Sequence, residues 1–448
     1  MSKVKLYSTY EGKKVDLNPI KKDEVCIYYC GPTVYNYVHI GNMRPVVTFD
    51  LLKRVLEANN YKVHLISNYT DIDDKIIKKA LEEKKTEKEV SDFYIKSYED
   101  LLDKLNVLPL ENHPRVSNYI PQIADFIADL IDKGYAYKAK NGDIYYDVSK
   151  DSKYGELSKI KLDDLKAGSR VEVNEEKHSP LDFALWKLTD DKGIKFDTKI
   201  GLGRPGWHTE CVVMINSYFK MPTIDIHGGG FDLKFPHHEN EIAQQEGYAH
   251  THLANIWMHV GFINIDNEKM SKSLGNVILA KDAINKWGGN VIRYFFLTTS
   301  YRAPINYTLD GMETAKKEID KYQAFLNKLR GKILLEGEKF TSDFDTDSYN
   351  KFLAFLSDDL NVANAITVIE SLIKSGNVLL RKPLDVVNLS KIYNTLLKCF
   401  DILGFKFNII DVTKEDVETY QDYLKAKADK NFELSDKYRT NLIQKGLI

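Results

Sequence analysis

Four side chains far apart in the sequence have the chemistry of a metal site. Cys30 and Cys211 offer thiolates, while His237 and Glu241 offer a nitrogen and an oxygen. His237 and Glu241 are four residues apart, so on a helix they would share one face and could close a site with the two thiols. A set of two sulfurs, one nitrogen and one oxygen is suited to zinc.

Each of these residues also has an ordinary interpretation. A single cysteine is usually a buried apolar residue, and the run His237-His238-Glu239 could be a solvated helix start. Cys26 is the competing thiol, but it lies inside an apolar run that favours core packing, and Cys399 lies on an apolar predicted helix. His238 is the alternative imidazole, although it would face a different side of its helix.

Two further motifs have the chemistry of phosphate binding. His39-Ile40-Gly41-Asn42 opens a predicted helix, where free backbone N–H groups and the helix dipole favour a phosphate and Gly41 would admit a nucleotide. Lys269-Met270-Ser271-Lys272-Ser273 is predicted to lie on a loop, where its two lysines could neutralise phosphate oxygens. Alone, the first is compatible with a structural turn and the second with a solvated loop. Together they favour a nucleotide site.

Length and composition exclude several classes of protein. A chain of 448 residues predicts several domains, and 43% apolar with 29% charged residues excludes a disordered composition. With 63 basic against 65 acidic residues, a nucleic-acid partner would have to be met by local patches. Four cysteines are too sparse for a disulfide framework. The first residues lack the apolar core of a signal peptide and no stretch could span a bilayer, so we expect a cytoplasmic protein without membrane contact.

The segments around the motifs predict an α/β fold. Residues 25–29 are a short β-prone run, Met43 to Asn60 has apolar residues at helical spacing, and residues 62–66 return to strand character. This β-α-β unit predicts a parallel sheet with ligands at the carboxyl ends of its strands. Cys30 and the HIGN motif fall at that edge.

The rest of the chain divides by pattern. Residues 88–200 alternate charged helical segments with a Tyr-rich stretch, 135–146, that is typical of a hairpin and indicates an insertion. Strand character returns at residues 223–226 and 256–258. From Leu309 to Leu403 the spacing predicts helices at 312–329, 349–356, 363–375 and 387–403. Residues 415–445 predict one or two charged helices with a modest basic patch, which is more often only a solvated face.

The two phosphate motifs resemble the HIGH and KMSKS motifs of class I aminoacyl-tRNA synthetases, which bind ATP at the two ends of a split Rossmann fold. The chain further resembles the cysteinyl-tRNA synthetases, closely from about residue 20 to 310 and afterwards only in general pattern. The segments that carry this second resemblance come in the family's order: Cys30-Gly31-Pro32-Thr33-Val34-Tyr35, Thr70-Asp71-Ile72-Asp73-Asp74-Lys75, Gly206-Trp207-His208-Thr209-Glu210-Cys211 and Phe235-Pro236-His237-His238-Glu239-Asn240-Glu241.

This resemblance implies an enzyme that activates L-cysteine with Mg-ATP and transfers it to the 3′ end of tRNA(Cys). It implies one zinc per chain, which receives the thiolate of cysteine and so rejects serine. The residues implied are zinc ligands Cys30, Cys211, His237 and Glu241; catalytic His39, Asn42, Lys269 and Lys272; ATP-binding Gly41, Gly229, Gly230, Asp232 and Lys272; and Thr70 and Trp207 in the cysteine pocket. A tryptophan beside a Pro-Gly turn is also commonly a packing anchor.

Pattern and resemblance together predict a monomer with a split Rossmann-type α/β fold, an inserted connective domain and a following α-helical bundle. The predicted bounds are 1–110 and 203–260 for the two Rossmann halves, 111–202 for the insertion, 261–315 for the KMSKS region, 316–405 for a bundle of the anticodon-binding type, and 406–448 for a short charged C-terminal region.

Two features depart from the family pattern. The fourth HIGH position is Asn42, where many class I enzymes have histidine, so this residue could donate a hydrogen bond to phosphate but not a charge. The sequence stops at Ile448, where many relatives continue, and base-specific anticodon contacts are therefore not assigned. Two other functions stay open, namely an ATP-dependent ligase joining cysteine to an amino sugar, and a catalytically silent tRNA-binding paralogue.

Overall fold

The structure is a computed structural model that describes residues 3–160, 176–188, 193–270 and 275–448; of Lys269 it describes only the backbone. Residues 3–285 and 301–306 form one unit, and residues 286–300 and 307–448 form a second. In the part of the chain that is described, no helix is long and apolar enough to cross a membrane.

The strands of the described residues lie mainly in the first unit. In chain order they are β1 (Lys5–Ser8), β2 (Lys13–Asp16), β3 (Glu24–Tyr29), β4 (Lys62–Ser67), β5 (Ala136–Lys138), β6 (Ile144–Tyr146), β7 (Phe183–Lys187), β8 (Arg204–Pro205), β9 (Ile224–Gly230), β10 (Ala254–Val260), β11 (Ile263–Ile265), β12 (Glu268–Lys269) and β13 (Ile305–Tyr307).

The α-helices of the same residues are α1 (Ile40–Ala58), α2 (Asp74–Glu83), α3 (Glu87–Lys104), α4 (Ile120–Asp132), α5 (Glu210–Phe219), α6 (His237–Ala249), α7 (Ala280–Trp287), α8 (Gly289–Leu297), α9 (Leu309–Leu335), α10 (Thr346–Ser357), α11 (Val362–Leu379), α12 (Val386–Leu403), α13 (Lys414–Ala428) and α14 (Phe432–Gln444).

The predicted parallel sheet is confirmed. Its strands lie in the order β10-β9-β3-β4, and each neighbouring pair is parallel. In β3 and β9 nearly every residue is buried, which is typical of a parallel sheet covered by helices on both faces. The carboxyl ends of β3, β4 and β9 therefore meet at one edge, where Cys30 begins the segment after β3.

Helix α1 connects β3 to β4 and packs on the sheet through its apolar face. Phe49 stacks on Tyr29 of β3, with ring centroids 4.9 Å apart and planes inclined by 8°. The helix begins at Ile40, three residues before the predicted start. His39 is extended (φ −84°, ψ 164°), and its backbone N–H donates to the side-chain oxygen of Asn42 at 3.1 Å. This side-chain cap places the start of the helix directly after His39.

A second, small sheet has the order β5-β6-β7-β8 with antiparallel pairs, and β8 lies beyond residue 202, the predicted end of the insertion. The predicted Tyr-rich hairpin is confirmed, because Ala136 pairs with Tyr146 and Lys138 with Ile144. Helix α4 packs beside it with an apolar face of buried Ile123, Ile127 and Leu130.

The second unit is helical, as predicted, and its helices are longer than their apolar patterns indicated. Residues 286–300 pack with it: the guanidinium of Arg293, in α8, is fully buried and donates two hydrogen bonds of 2.9 and 3.1 Å to the carbonyl of Leu403. A side chain at position 404 would collide with that guanidinium, and Gly404 also has φ +72°, so glycine is required there.

Candidate functional site

The four predicted metal ligands come from three different elements of the first unit. Cys30 follows β3 and its N–H donates to the carbonyl of Gly228 at 3.1 Å, which ties it to the end of β9. Cys211 lies in the first turn of α5. His237 and Glu241 lie on one face of α6, which begins at His237. The parallel sheet thus brings together residues that are about 200 positions apart in the chain.

Three of the four distances given below between the donor atoms fit a tetrahedral site. Cys30 Sγ lies 3.5 Å from Cys211 Sγ and 3.8 Å from Glu241 Oε1. His237 Nε2 lies 3.7 Å from Cys211 Sγ and 3.0 Å from Glu241 Oε1. Ligand bonds of roughly 2.0 to 2.3 Å place tetrahedral donors about 3.3 to 3.8 Å apart. The three separations that involve sulfur lie in this range, and the separation of His237 and Glu241, which form an ion pair, is shorter. The donor types fit zinc.

The cluster is withdrawn from solvent. His237 is 1% exposed and Glu241 0%, and the neighbouring His238 and Glu239 are buried as well. The interpretation of His237-His238-Glu239 as a solvated helix start is therefore wrong. The interpretation of Cys26 and Cys399 as core residues is confirmed, since both thiols are buried away from this cluster.

The buried groups set each other's protonation. Burial lowers the pKa of His237, but the Glu241 carboxylate and the Cys211 sulfur outweigh it and raise that pKa to about 10. Burial raises the pKa of Cys211, but hydrogen bonds to Cys30 and His237 lower it to about 7. The pKa of Cys30 is raised by burial and by Cys211. Because metal ligands bind in their deprotonated forms, metal binding here would release protons.

A second group of donors overlaps the first and contains Cys30, His227, His238 and Glu241. His227 Nε2 lies 2.7 Å from Glu241 Oε2 and its Nδ1 lies 2.8 Å from the carbonyl oxygen of Tyr28. Both partners are acceptors, so the imidazole donates from both nitrogens and has no lone pair for a metal. His227 therefore holds the ligand Glu241 through Oε2, while Oε1 of Glu241 faces the other donors. The structure favours the predicted group over this one.

Two more histidines lie against the ligands. His208 Nδ1 is 3.0 Å from His237 Nδ1. Burial lowers the pKa of His208 to about 3, so its Nδ1 can accept a hydrogen bond from Nδ1 of His237. The other nitrogen of His237, Nε2, is then directed into the cluster. His238 Nδ1 lies 2.8 Å from His259, and its Nε2 lies 3.4 Å from Cys30 Sγ. His238 thus stays the alternative imidazole.

The two phosphate motifs lie close to each other in this unit. A Cβ added to Gly41 would lie 3.0 Å from the His39 ring and 3.1 Å from the methyl of Met270. Glycine at this position therefore lets the start of the KMSKS motif pack on the first turn of α1. The oxygen of Asn42 accepts the His39 N–H, so its amide N–H groups remain as the donors for a phosphate. Lys272 and the side chain of Lys269 lie outside the described residues.

The two glycines at the end of β9 lie in different environments. Gly229 is buried, and a Cβ there would lie 2.8 Å from Leu233 and 3.8 Å from the Cβ of Cys30. A Cβ on Gly230 would lie 2.4 Å from a carboxylate oxygen of Asp232, which is itself exposed. At both positions a neighbouring side chain leaves too little room for a Cβ, which explains why glycine is present. Contacts of the two glycines with ATP remain predictions.

The two residues predicted for the cysteine pocket also lie beside the cluster. Trp207 stacks on His237, with ring centroids 4.4 Å apart and planes inclined by 25°, and is still 41% exposed. Such a ring can pack against the metal site and face a ligand at once. Thr70 is buried, and its hydroxyl donates to a carboxylate oxygen of Glu210 at 2.8 Å.

The sequence did not reveal the residues behind the ligands, namely Asn68, His208, Glu210 and His227. One signal was available for His227, because a histidine within the apolar run of a buried parallel strand needs a polar partner. The partner itself could not be found, since it depends on how β9 pairs with β3.

Known proteins resemble this chain along its whole length. Residues 16–317 match the family described as tRNA synthetases class I (C) catalytic domain, and residues 351–408 match the DALR domain. A "Cysteine--tRNA ligase" of Acholeplasma laidlawii is 43% identical over 99% of this chain and 100% of its own length. Another from Geobacillus sp. is 41% identical over 100% and 97%. Methionyl-tRNA synthetase of Mycobacterium tuberculosis with methionyl-adenylate has the same fold, with a TM-score of 0.61, 12% identity and coverage of 90% and 94%.

Proposed function

The chain belongs to the class I tRNA synthetases and, within them, to the cysteine--tRNA ligases, and we propose that its Cys30, Cys211, His237 and Glu241 cluster holds one zinc that selects cysteine. The observation that carries this proposal is the set of four donors, three of them buried and Cys30 partly exposed, whose sulfur separations fit tetrahedral coordination. It lies at the carboxyl edge of the parallel sheet, where Cys30 follows β3 and donates its N–H to the carbonyl of Gly228 in β9.

Selection follows from the chemistry of the donor set. Zinc held there supplies a soft Lewis acid that binds the thiolate of cysteine well and the hydroxyl of serine poorly. His227 and His208 contact Glu241 and His237 and would hold these two ligands in their orientations around the ion. An incorrect amino acid leaves that contact unmade, so the chain would need no separate editing site.

Adenylate formation then depends on residues that position phosphate. The cysteine carboxylate attacks the α-phosphate of Mg-ATP in line, and pyrophosphate leaves. We assign stabilisation of the phosphates to His39 and the amide of Asn42 at the start of α1, and to Lys269 and Lys272 on the opposite side. Gly41, Gly229, Gly230 and Asp232 are assigned to the nucleotide, with Thr70 and Trp207 at the amino acid.

In the second step a ribose hydroxyl at the 3′ end of tRNA(Cys) attacks the adenylate and AMP leaves. The DALR match in the second unit supports tRNA as the acceptor, whereas coupling cysteine to an amino sugar would not require a long helical unit. A monomeric state, a cytoplasmic location and the domain bounds given above remain parts of this proposal.

Cysteine-dependent ATP–pyrophosphate exchange, with and without a tRNA(Cys) transcript, tests the activity. We expect exchange with cysteine but not serine, and cysteine attached to the transcript when tRNA is present. A glucosamine-inositol acceptor is the control and should stay unmodified. Coupling of cysteine to that sugar with an uncharged tRNA would contradict the proposal.

Elemental analysis of variants in which one cysteine is replaced tests which thiols are zinc ligands. Cys211→Ser should lose most of its zinc, while Cys26→Ser, a matched change of a buried thiol in the same unit, should retain it. The reverse result would mean that the wrong thiol has been assigned.

A further inference from the structure

We propose that Arg44 is a positioning residue for adenylate formation, because its guanidinium fixes the segment that leads into the KMSKS motif against the helix that begins at the HIGN motif. The inference rests on the proposed function, since it assumes that the two motifs hold the phosphates of ATP. Arg44 itself belongs to neither motif.

Arg44 places a buried cation between α1 and the chain after β10. It lies two residues after Asn42 and is 1% exposed. Its Nη1 contacts the carbonyl oxygens of Ala303 at 2.7 Å, Gly261 at 2.8 Å and Phe262 at 3.2 Å. Nη1 carries two hydrogens, so the longest contact shares one of them with a shorter contact. Loss of the guanidinium would leave all three carbonyls without this charged donor.

The carbonyls of Gly261 and Phe262 lie at the entry to the KMSKS motif. These residues directly precede β11, which pairs with β12 so that Asn264 lies opposite Lys269. Lys269 is both the last residue of β12 and the first residue of the motif. A short hairpin therefore carries the start of the motif, and Arg44 joins the base of this hairpin to α1.

The segment around Ala303 approaches the same guanidinium from the other side of the hairpin base. Gly261 N–H donates to the carbonyl of Tyr301 at 2.7 Å, and Ile305 N–H donates to that of Phe262 at 3.0 Å. A Cβ on Gly261 would lie 2.5 Å from the carbonyl oxygen of Ala303, so the approach of the two segments requires glycine. This approach brings carbonyls of both segments within reach of one guanidinium nitrogen.

The chain leaves the motif through contacts of a different kind. Ile40 N–H donates to the carbonyl of Ile278 at 2.9 Å, and Ala280 N–H donates to the carbonyl of Val38 at 2.9 Å. These are backbone hydrogen bonds, which a change of the Arg44 side chain leaves in place. The start of α1 is thus bound to the exit of the motif by the backbone, whereas α1 is bound to its entry by a guanidinium.

A change at the entry should affect the chemical step more than the binding of cysteine. Transition-state stabilisation depends on exact placement, and a displacement of about 1 Å can cost about a hundredfold in rate. None of the three carbonyls that Arg44 contacts belongs to the elements that carry the proposed zinc ligands. Arg44 should therefore support adenylate formation and contribute little to the contact between cysteine and the metal.

Arg44→Met, which removes the charge and the donors from a side chain of similar shape, provides the test. Arg54→Met is the matched control, because Arg54 is a buried arginine of the same helix and donates to Asp50 at 3.0 Å and to the carbonyl of Asn106 at 2.6 Å. Both changes are made in the natural chain and in Lys272→Ala. Adenylate formation is measured before the steady state at saturating ATP and cysteine. Zinc content, stability in urea and calorimetric affinity for L-cysteine are measured for each zinc-loaded variant.

We expect Arg44→Met to slow adenylate formation by about tenfold to a hundredfold and to change the affinity for cysteine by less than about threefold. Zinc content should be unchanged. Arg54→Met should lose stability as well, without a comparable loss of rate. In Lys272→Ala the further loss caused by Arg44→Met should be small, because both changes remove the stabilisation that the motif supplies.

Slowing by the same factor in the natural chain and in Lys272→Ala would overturn the inference, since Arg44 would then act independently of the motif. An unchanged rate in Arg44→Met, or equal slowing in the two arginine variants, would overturn it as well. If Arg44→Met does not fold, Arg44→Lys is judged by the same comparisons, because its nitrogen lies one bond short of the position of Nη1. Failure of the proposed function is distinguishable, because the natural chain itself would then form no adenylate with cysteine.

Discussion

His227 provides the sharpest test of how the metal site is supported, because its two nitrogens have separate partners. Nε2 donates to Glu241 at 2.7 Å and Nδ1 donates to the carbonyl of Tyr28 at 2.8 Å. The amide nitrogen of asparagine can replace Nδ1, and that of glutamine can replace Nε2. His227→Asn should therefore lose the bond to Glu241, whereas His227→Gln should keep it.

The magnitude follows from that one bond. A hydrogen bond to a buried charged group contributes about 1.5 to 3 kcal/mol, and loss of a supporting residue typically weakens metal binding about 10- to 100-fold. His227→Asn should accordingly weaken zinc by about 10- to 100-fold, and His227→Gln by less than about threefold. Competition against a chromogenic chelator measures both. Equal zinc affinities in the two variants would refute the role assigned to His227.

Three other predictions concern catalysis, stability and tRNA binding. Lys272→Ala should slow adenylate formation by about a hundredfold or more at saturating ATP, measured before the steady state, with a much smaller change in ATP affinity. Burial raises the pKa of Asp416, but its bonds to Lys445 and Thr413 outweigh burial and lower it. Its stabilisation is therefore present above the unfolded pKa of about 3.9 and is lost as the pH falls through the folded value. Asp416→Asn should destabilise by about 1 kcal/mol at pH 7 in urea titrations and by less at lower pH, while the exposed Asp411→Asn should change little. Binding of tRNA, measured by filter retention, should weaken steeply with salt, because several phosphate contacts release counterions together; a flat salt dependence would contradict such contacts.

A cut near Ala315 would be a poor way to separate activation from charging. It would remove the carbonyl of Leu403, which accepts two hydrogen bonds from the buried Arg293. The remaining chain would expose this buried guanidinium and lose that acceptor, at a cost in stability. Point changes of exposed lysines in α13 and α14 test tRNA binding without that disturbance.

Sequence patterns predicted the elements whose structure is set locally. Residues 25–29 and 62–66 became β3 and β4 because short apolar runs fit a sheet buried on both faces. The helices from Leu309 onwards were visible in their spacing, and only their ends were missed. Those ends depend on caps such as Asp345 and Thr413, whose side chains accept N–H groups three residues ahead.

The ligands of the candidate site could be predicted from the sequence, but the residues that support them could not. Cys30, Cys211, His237 and Glu241 were suggested by donor type and family resemblance, and the sheet brings them together. The supporting contacts depend on the register of β3 against β9, which pairs Tyr28 with His227. Because the sequence alone does not reveal this register, it does not show which histidines bind a metal and which hold a ligand in place.

Cobalt substitution tests the central proposal most directly, because the absorption of Co²⁺ reports its sulfur ligands. We expect one Co²⁺ per chain, with a sulfur-to-cobalt band that strengthens when L-cysteine is added and does not change with L-serine. The Cys211→Ser variant should lose most of that band before any amino acid is added. Saturable binding of cysteine with an unchanged spectrum would mean that its thiolate does not reach the metal, and would contradict selection by this cluster.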